Sequence, residues 1–236
     1  LFQGPSCMSE ASRIYEPWVT DAVKGHFAEL LTAAEEQATE AYRAAMRRVG
    51  RDLGAQLEPA LPRDGQILLV TTVEDADYLG RGVIEAMVEG KHAVRVFCYW
   101  NSRNKTRDTA PIISRYEEPL DERDVRAVVV VKSIISGACV VRTNLIEALS
   151  KLRHDVPVFV VAPAMHVEAK KKLRREFAPS VADRFQYVFC AVDREKDGEN
   201  IRPGVGGSVY ELLGLGDKDT KNRHRPLLLA ERMPSL

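Results

Sequence analysis

With 236 residues, 45% of them hydrophobic, the chain is long enough to bury a sizeable core and suits one α/β domain. Its 34 basic and 34 acidic residues cancel, which excludes an overall pull toward nucleic acid or an anionic membrane, so a charged ligand needs a local site. No apolar run approaches the roughly 20 residues of a membrane span and no signal-peptide pattern follows Met8, so a cytoplasmic location is the default expectation.

Leu1 to Pro5 reads as the scar of a cleaved tag; residues 1–7 are set aside and the natural chain is expected to begin at Met8. From Asp21 to Leu57, apolar residues such as Phe27, Leu30, Ala34, Tyr42, Met46, Val49 and Leu53 recur at helical spacing, which predicts helix in two segments. Leu61-Pro-Arg-Asp-Gly65 breaks the pattern and leads into Gln66 to Val70, a short apolar run of the buried-strand type. Asp77 to Glu89 returns to helical spacing with Gly90 as its stop, and His92 to Trp100 is the next strand. Asn101 to Ser114 is polar, carries Arg103, Lys105 and Arg107, and predicts a loop. Val125 to Val131 is the strongest strand signal, followed by a Ser-Gly-Ala turn and a helix from Val140 to Leu152. Val156 to Ala162 repeats strand, His166 to Phe177 repeats helix, and Tyr187 to Val192 closes with strand.

This alternation implies βαβ units and an α/β fold: a mainly parallel sheet with helices on both faces, plus an amino-terminal helical segment. The expected division is a helical segment over 8–60 packed on the domain, an α/β domain over 61–217 and a tail over 218–236. Cys98, Cys139 and Cys190 lack C-x-x-C spacing, so Cys98 and Cys190 are expected as buried thiols.

Ligands of such sheets lie beyond the carboxyl ends of the strands. Val128 to Thr143 is a strand, a small-residue turn and a helix start, and turn amides at the positive end of a helix dipole form a cradle for phosphate. The cradle falls on Ser133, Ser136, Gly137, Ala138, Cys139 and Val140.

This stretch resembles the phosphoribosyltransferase loop, in which acidic residues end a strand and Thr-Gly-Gly-Thr or a relative follows. Within that superfamily the chain is most similar to uracil phosphoribosyltransferases. Ile201-Arg-Pro-Gly-Val-Gly-Gly-Ser ending in Leu213-Gly214 looks like the motif whose backbone reads uracil, so the resemblance assigns Ile201, Pro203, Gly204, Gly206 and Gly207 to the base. Ile67 to Val73 occupies the place of the diphosphate loop, which puts Thr71 and Thr72 there, with Arg103 as a candidate to close over a diphosphate. Ile113 to Pro119 and Thr39-x-x-Tyr42-Arg43 are similar to further family segments, so the resemblance covers roughly residues 20 to 215. It implies a homodimer and a nucleotide, nucleobase or phosphoribosyl ligand.

The departures fall on the chemistry. Where the family holds the ribose hydroxyls with an acid, this chain has Val131 and Lys132; where its diphosphate loop has Arg, this chain has Thr71 or Thr72; where Asp follows the uracil-reading glycine, it has Gly207. Two readings stand. In one the site is rebuilt: Glu74, Asp75 and Asp77 supply acids to hold ribose or a metal, with Glu74, Asp75 and Lys132 as catalytic candidates and magnesium as a candidate cofactor, the protein transferring or cleaving an N-glycosidic bond. In the other, catalysis is abandoned and Lys132, Ser133 and Ser136 form an anion pocket in a nucleotide sensor or in a subunit of a larger assembly, such as one for phage defence. The plainer alternative for Asp75 and Asp77 is capping of the following helix. Asp193, after the last strand, is a further candidate to face the ligand, Cys139 is more simply a packing residue than a nucleophile, and His166 is expected on a helix surface.

Overall fold

A computed structural model describes residues 13–102, 109–198 and 200–233. Residues 1–7, Met8, and the cations Arg103, Lys105 and Arg107 lie outside the described residues.

The chain enters through a short strand β1 (Arg13–Tyr15) and two helices, α1 (Asp21–Glu35) and α2 (Thr39–Leu57). Strand β2 (Gln66–Thr72) leads through a wide π-type turn at Ala76–Gly80 into α3 (Arg81–Glu89) and β3 (Ala93–Asn101). Next come β4 (Ile112–Glu117), β5 (Val125–Val131), the two-residue β6 (Ile134–Ile135) and α4 (Cys139–Leu149). Then follow β7 (Val158–His166), α5 (Ala169–Arg175), α6 (Pro179–Ala182) and β8 (Phe185–Asp193). A small hairpin, β9 (Glu195–Asp197) and β10 (Asn200–Arg202), and three short helices, α7 (Val209–Leu212), α8 (Lys218–Arg223) and α9 (Leu227–Arg232), complete the described chain.

The sheet order is β1-β8-β7-β5-β2-β3-β4, with β6 continuing the pairing on β7. β2, β3, β5, β7 and β8 pair in parallel, and β1 and β4 close the two edges antiparallel. Both faces are covered, which is why the central strands read as continuous apolar runs rather than alternating ones. Ile67, Leu69 and Val129 face α1, α2 and α3 through Phe27, Leu53 and Val83. Leu68, Val70 and Val128 face the opposite layer, which holds Leu145 of α4 and Leu173 of α5.

Several sequence expectations are corrected. Residues 112–114, read as loop, begin β4, whose partner β3 supplies the pairing that a polar stretch does not advertise. β7 runs four residues further than expected, to His166, because it pairs with β8 through His166 and Asp193. His166 is therefore a buried strand end whose Nδ1 accepts the Glu168 amide at 3.1 Å, not a helix surface residue. Residues 218–232 form α8 and α9, which bury Leu228 and Leu229 in the core. Cys98, Cys139 and Cys190 are all buried, and burial pushes the Cys98 and Cys190 thiols up.

Candidate functional site

The helix after β2 covers one face of the sheet, and those after β5 and β7 cover the other. β2 and β5 are neighbours, so the chain diverges between them, and a crevice opens where no crossover fills the space. A cleft of about 480 Å³ lies there. Its walls come from Glu74 and Lys132 just after β2 and β5, Asn101 at the end of β3, the segment that leads into α4, residues 200–201 and 207–211, and α8.

At its floor Lys132 is drawn into an ion-pair cluster. The Lys132 ammonium donates to Asp75 Oδ2 at 2.6 Å and lies 3.2 Å from Glu74 Oε1 and 3.2 Å from Ser133 Oγ. Asp75 also accepts from Thr72 Oγ1 at 2.6 Å and from the Ser133 amide at 3.2 Å. Lys221 of α8 stands 3.4 Å from the other Glu74 oxygen. Burial alone would raise the Glu74 carboxyl, but Lys132 and then Lys221 more than offset this and hold it at about 2. Burial would likewise lower the Lys132 pKa, yet Asp75 and Glu74 drive it above the ordinary lysine value.

Capping is not what the two aspartates do. Asp75 makes no side-chain cap bond to the turn that follows it. Asp77 accepts the Leu228 amide at 2.8 Å and His224 at 3.1 Å, tying the carboxyl-terminal helices to the segment after β2. The turn between them is wide because the Gly80 amide reaches back to the Asp75 carbonyl at 2.7 Å.

Ser136, Gly137, Cys139 and Val140 line the cleft, Ala138 does not, and α4 begins at Cys139 with no side-chain cap bond at its start. Its amides are therefore directed at whatever occupies the space before them. A methyl group placed on Gly137 would meet nothing within 4 Å. Lys196 of β9 donates to the Ser136 carbonyl at 2.8 Å, adding a cation beside the bend.

The residues assigned to the base divide. Ile201 and Gly207 line the cleft, whereas Pro203, Gly204 and Gly206 lie outside its wall. Gly206 has φ +90°, and a Cβ there would stand 2.2 Å from Ala34 Cβ, so packing against α1 already requires glycine. Asp193, expected to face the ligand, is instead fully buried in a clamp: Arg13 donates to both its oxygens at 2.7 Å, and the Gly204 amide donates at 2.9 Å. Thr71 is buried within β2 and faces no cleft, and Thr72 serves Asp75. Ser133, read as a phosphate ligand, lines the cleft, where its hydroxyl meets Lys132 and its amide donates to Asp75. Sequence reasoning missed Lys221, which lies in the segment set apart as a tail and carries no motif.

Magnesium does not fit this donor set. Glu74 and Asp75 are already bridged by the Lys132 ammonium, with Lys221 on the other Glu74 oxygen, and a divalent cation would have to displace these charges of its own sign. Among the described residues no group of three or more His, Cys, Asp or Glu is placed to hold a metal.

The chain has the fold of a known solved structure. The AQ2163 protein from Aquifex aeolicus superposes with a TM-score of 0.65 at 18% identity, covering 82% of this chain and 94% of that one. Hypoxanthine-guanine phosphoribosyltransferase from L. donovani matches at a TM-score of 0.42 and 10% identity over 84% of this chain and 94% of its own. Hypoxanthine phosphoribosyltransferase from Trypanosoma cruzi, in complex with the product IMP, matches at 0.42 and 10% over 72% and 78%. The latter two overlaps are too loose to argue from. No family model matches the sequence, and no curated protein matches it. No helix among the described residues is long and apolar enough to cross a membrane.

Proposed function

We propose that the protein binds a nucleotide or ribose-phosphate compound in the cleft beyond β2 and β5, with the phosphate on the bend from Ser136 to Cys139. The observation that carries this reading is the open bend at Gly137: it faces the cleft, is unobstructed, and stands before the uncapped start of an eleven-residue helix. The resemblance to uracil phosphoribosyltransferases, motif after motif in sequence order, supports the same placement. It favours uracil as the base, next to Ile201 and Gly207 on the cleft wall.

Between transfer and binding alone, the ion pairs favour binding. Glu74 and Asp75 are held by Lys132 and Lys221 rather than presented to a ribose, and the position that resembles the family's ribose acid is itself an ammonium. An ammonium there opposes the positive charge that develops on a ribosyl ring during transfer. The protein on this reading is a nucleotide-binding sensor or subunit, and its phosphoribosyl transfer to uracil is weak or nil.

Calorimetric titration with ribose 5-phosphate, uridine monophosphate and phosphoribosyl diphosphate, with and without magnesium, tests both parts. The monophosphates are expected to bind, and Gly137→Asp to abolish binding while leaving the thermal midpoint within a few degrees of wild type. Failure of every phosphorylated ligand to bind overturns the reading; diphosphate release from phosphoribosyl diphosphate and uracil overturns its non-catalytic part.

A further inference from the structure

The densest run of one charge sign in the chain is α5, Ala-Lys-Lys-Lys-Leu-Arg-Arg over Ala169–Arg175. Its two buried residues, Ala169 and Leu173, seat it on the sheet and turn the rest outward. Arg174 pairs with Asp183 at 2.6 Å, and Lys170 lies over the Phe189 ring at 4.3 Å. Lys171, Lys172 and Arg175 are exposed and form no ion pair among the described residues. The acids nearby do not neutralise this face: over residues 168–183, Glu168, Glu176 and Asp183 stand against the five cations of α5, and Glu176 is taken by Arg142 at 3.2 Å.

Stability does not ask for such a helix. Lys170 and Arg174, and Lys171 and Arg175, are four apart, while Lys172 and Arg175 are three apart, and like charges so spaced repel on one helix face. The negative end of the helix dipole favours Lys172, Arg174 and Arg175 in the last turn, yet not Lys170 and Lys171.

The cationic face leads to the cleft. Burial holds the His166 imidazole below its ordinary pKa, and Lys196 and Lys172 both stand close enough to lower it further. Lys196 in turn donates to the Ser136 carbonyl at 2.8 Å. On β9, Glu195 lies between Arg194 and Lys196, and Asp197 is paired with Arg202. A row of cations therefore runs from α5 across the end of β7 to the bend that takes a phosphate under the reading above. At its far end the half-buried Phe177, 5.1 Å edge-on to Phe185, shares a surface hollow with Lys171, Arg174 and Arg175. Cations in a row with an aromatic ring beside them fit repeated phosphates that carry flat bases. The carboxylates of an acidic peptide would use the charge and leave the ring idle.

We propose that α5 is a docking surface for single-stranded nucleic acid, whose phosphates run from Lys171 and Arg175 over Lys172 and Lys196 to a terminal nucleotide in the cleft. This rests on the nucleotide-binding reading and extends its ligand from a mononucleotide to the end of a strand.

Calorimetric titration compares uridine monophosphate with oligouridine and oligothymidine of about a dozen nucleotides, phosphorylated at both ends. At least one strand is expected to bind roughly tenfold or more tighter than the mononucleotide. Its log affinity should fall against log salt with a slope of about −2, which corresponds to about −0.7 for each of three phosphate contacts. The two strands separate RNA from DNA as the source, through the ribose hydroxyl. Combining Lys171→Gln, Lys172→Gln and Arg175→Gln is expected to bring strand affinity close to that of the mononucleotide and to flatten the slope. Uridine monophosphate binding and the thermal midpoint should not change, because all three side chains are exposed. Strands that bind no tighter than a bound mononucleotide overturn this inference alone, as does tight strand binding that survives the combined change. Displacement of the strand by polyglutamate at equal charge concentration assigns the face to acidic polypeptide and overturns it too. Failure of the mononucleotide and both strands to bind overturns the nucleotide-binding reading, and this inference with it.

Discussion

Arg13 of β1 and Asp193 at the end of β8, 180 residues apart in sequence, form a buried bidentate pair that also holds the amide and the carbonyl of Gly204. The guanidinium donates to both carboxylate oxygens at 2.7 Å and to the Gly204 carbonyl at 2.5 Å, while the carboxylate accepts the Gly204 amide. The guanidinium also stacks over Phe27 at 4.4 Å. One edge strand thus fixes the loop that carries Gly206 and Gly207.

Removing either partner leaves a buried charge without its complement. Asp193→Ala is expected to destabilise the protein by about 3–5 kcal/mol in urea unfolding, and Arg13→Met to cost a similar amount. The double variant should cost clearly less than the sum, because the second change removes the orphaned charge left by the first.

Lys132→Met is expected to cost about 3–5 kcal/mol at neutral pH, since Asp75 is fully buried and Glu74 nearly so. Its dependence on acid should oppose that of wild type. In wild type the Glu74 carboxyl falls from 4.5 to about 2 on folding. Its contribution is therefore complete above about 4.5 and lost as pH falls through about 2. Without the Lys132 ammonium, burial raises the carboxyl instead, so lowering the pH lets it take up a proton and narrows the stability gap to wild type. A gap that stays constant between pH 7 and pH 4 would contradict the role given to this ion pair.

Asp77→Ala removes the acceptor of the Leu228 amide and of His224. A loss of about 1–3 kcal/mol is expected. Limited trypsin digestion should cut first at Lys218, Lys221 or Arg223, because the carboxyl-terminal helices lose one of their ties to the segment after β2. Unchanged protection of these sites would show that Leu228 and Leu229 hold the helices by packing alone.

Gly206→Ala and Gly137→Ala separate packing from binding. At Gly206 the added methyl collides with Ala34 and the backbone sits at φ +90°, so about 2 kcal/mol or more is expected to be lost. At Gly137 the methyl meets open space, and stability should stay within about 0.5 kcal/mol of wild type. Thermal melts of the two variants side by side would read the difference.

The sequence by itself determined the five parallel strands and most of the helices between them. A strand covered on both faces must be apolar at every position, and the Val125 to Val131 run carries that requirement without reference to the rest of the chain. It also determined that the small-residue bend at Ser136 to Ala138 stands between a strand and a helix. Only the tertiary structure decided the edge strands β1 and β4, whose identity comes from the neighbour each pairs with rather than from its own pattern. The same holds for the site's charges. Asp75 and Lys132 are 57 positions apart, and they meet because β2 and β5 are adjacent in the sheet. Lys221 reaches Glu74 only because α8 folds back over that junction. Local periodicity records what a segment must bury, whereas the partner of a buried charge is set by strand order, which no short window of sequence contains.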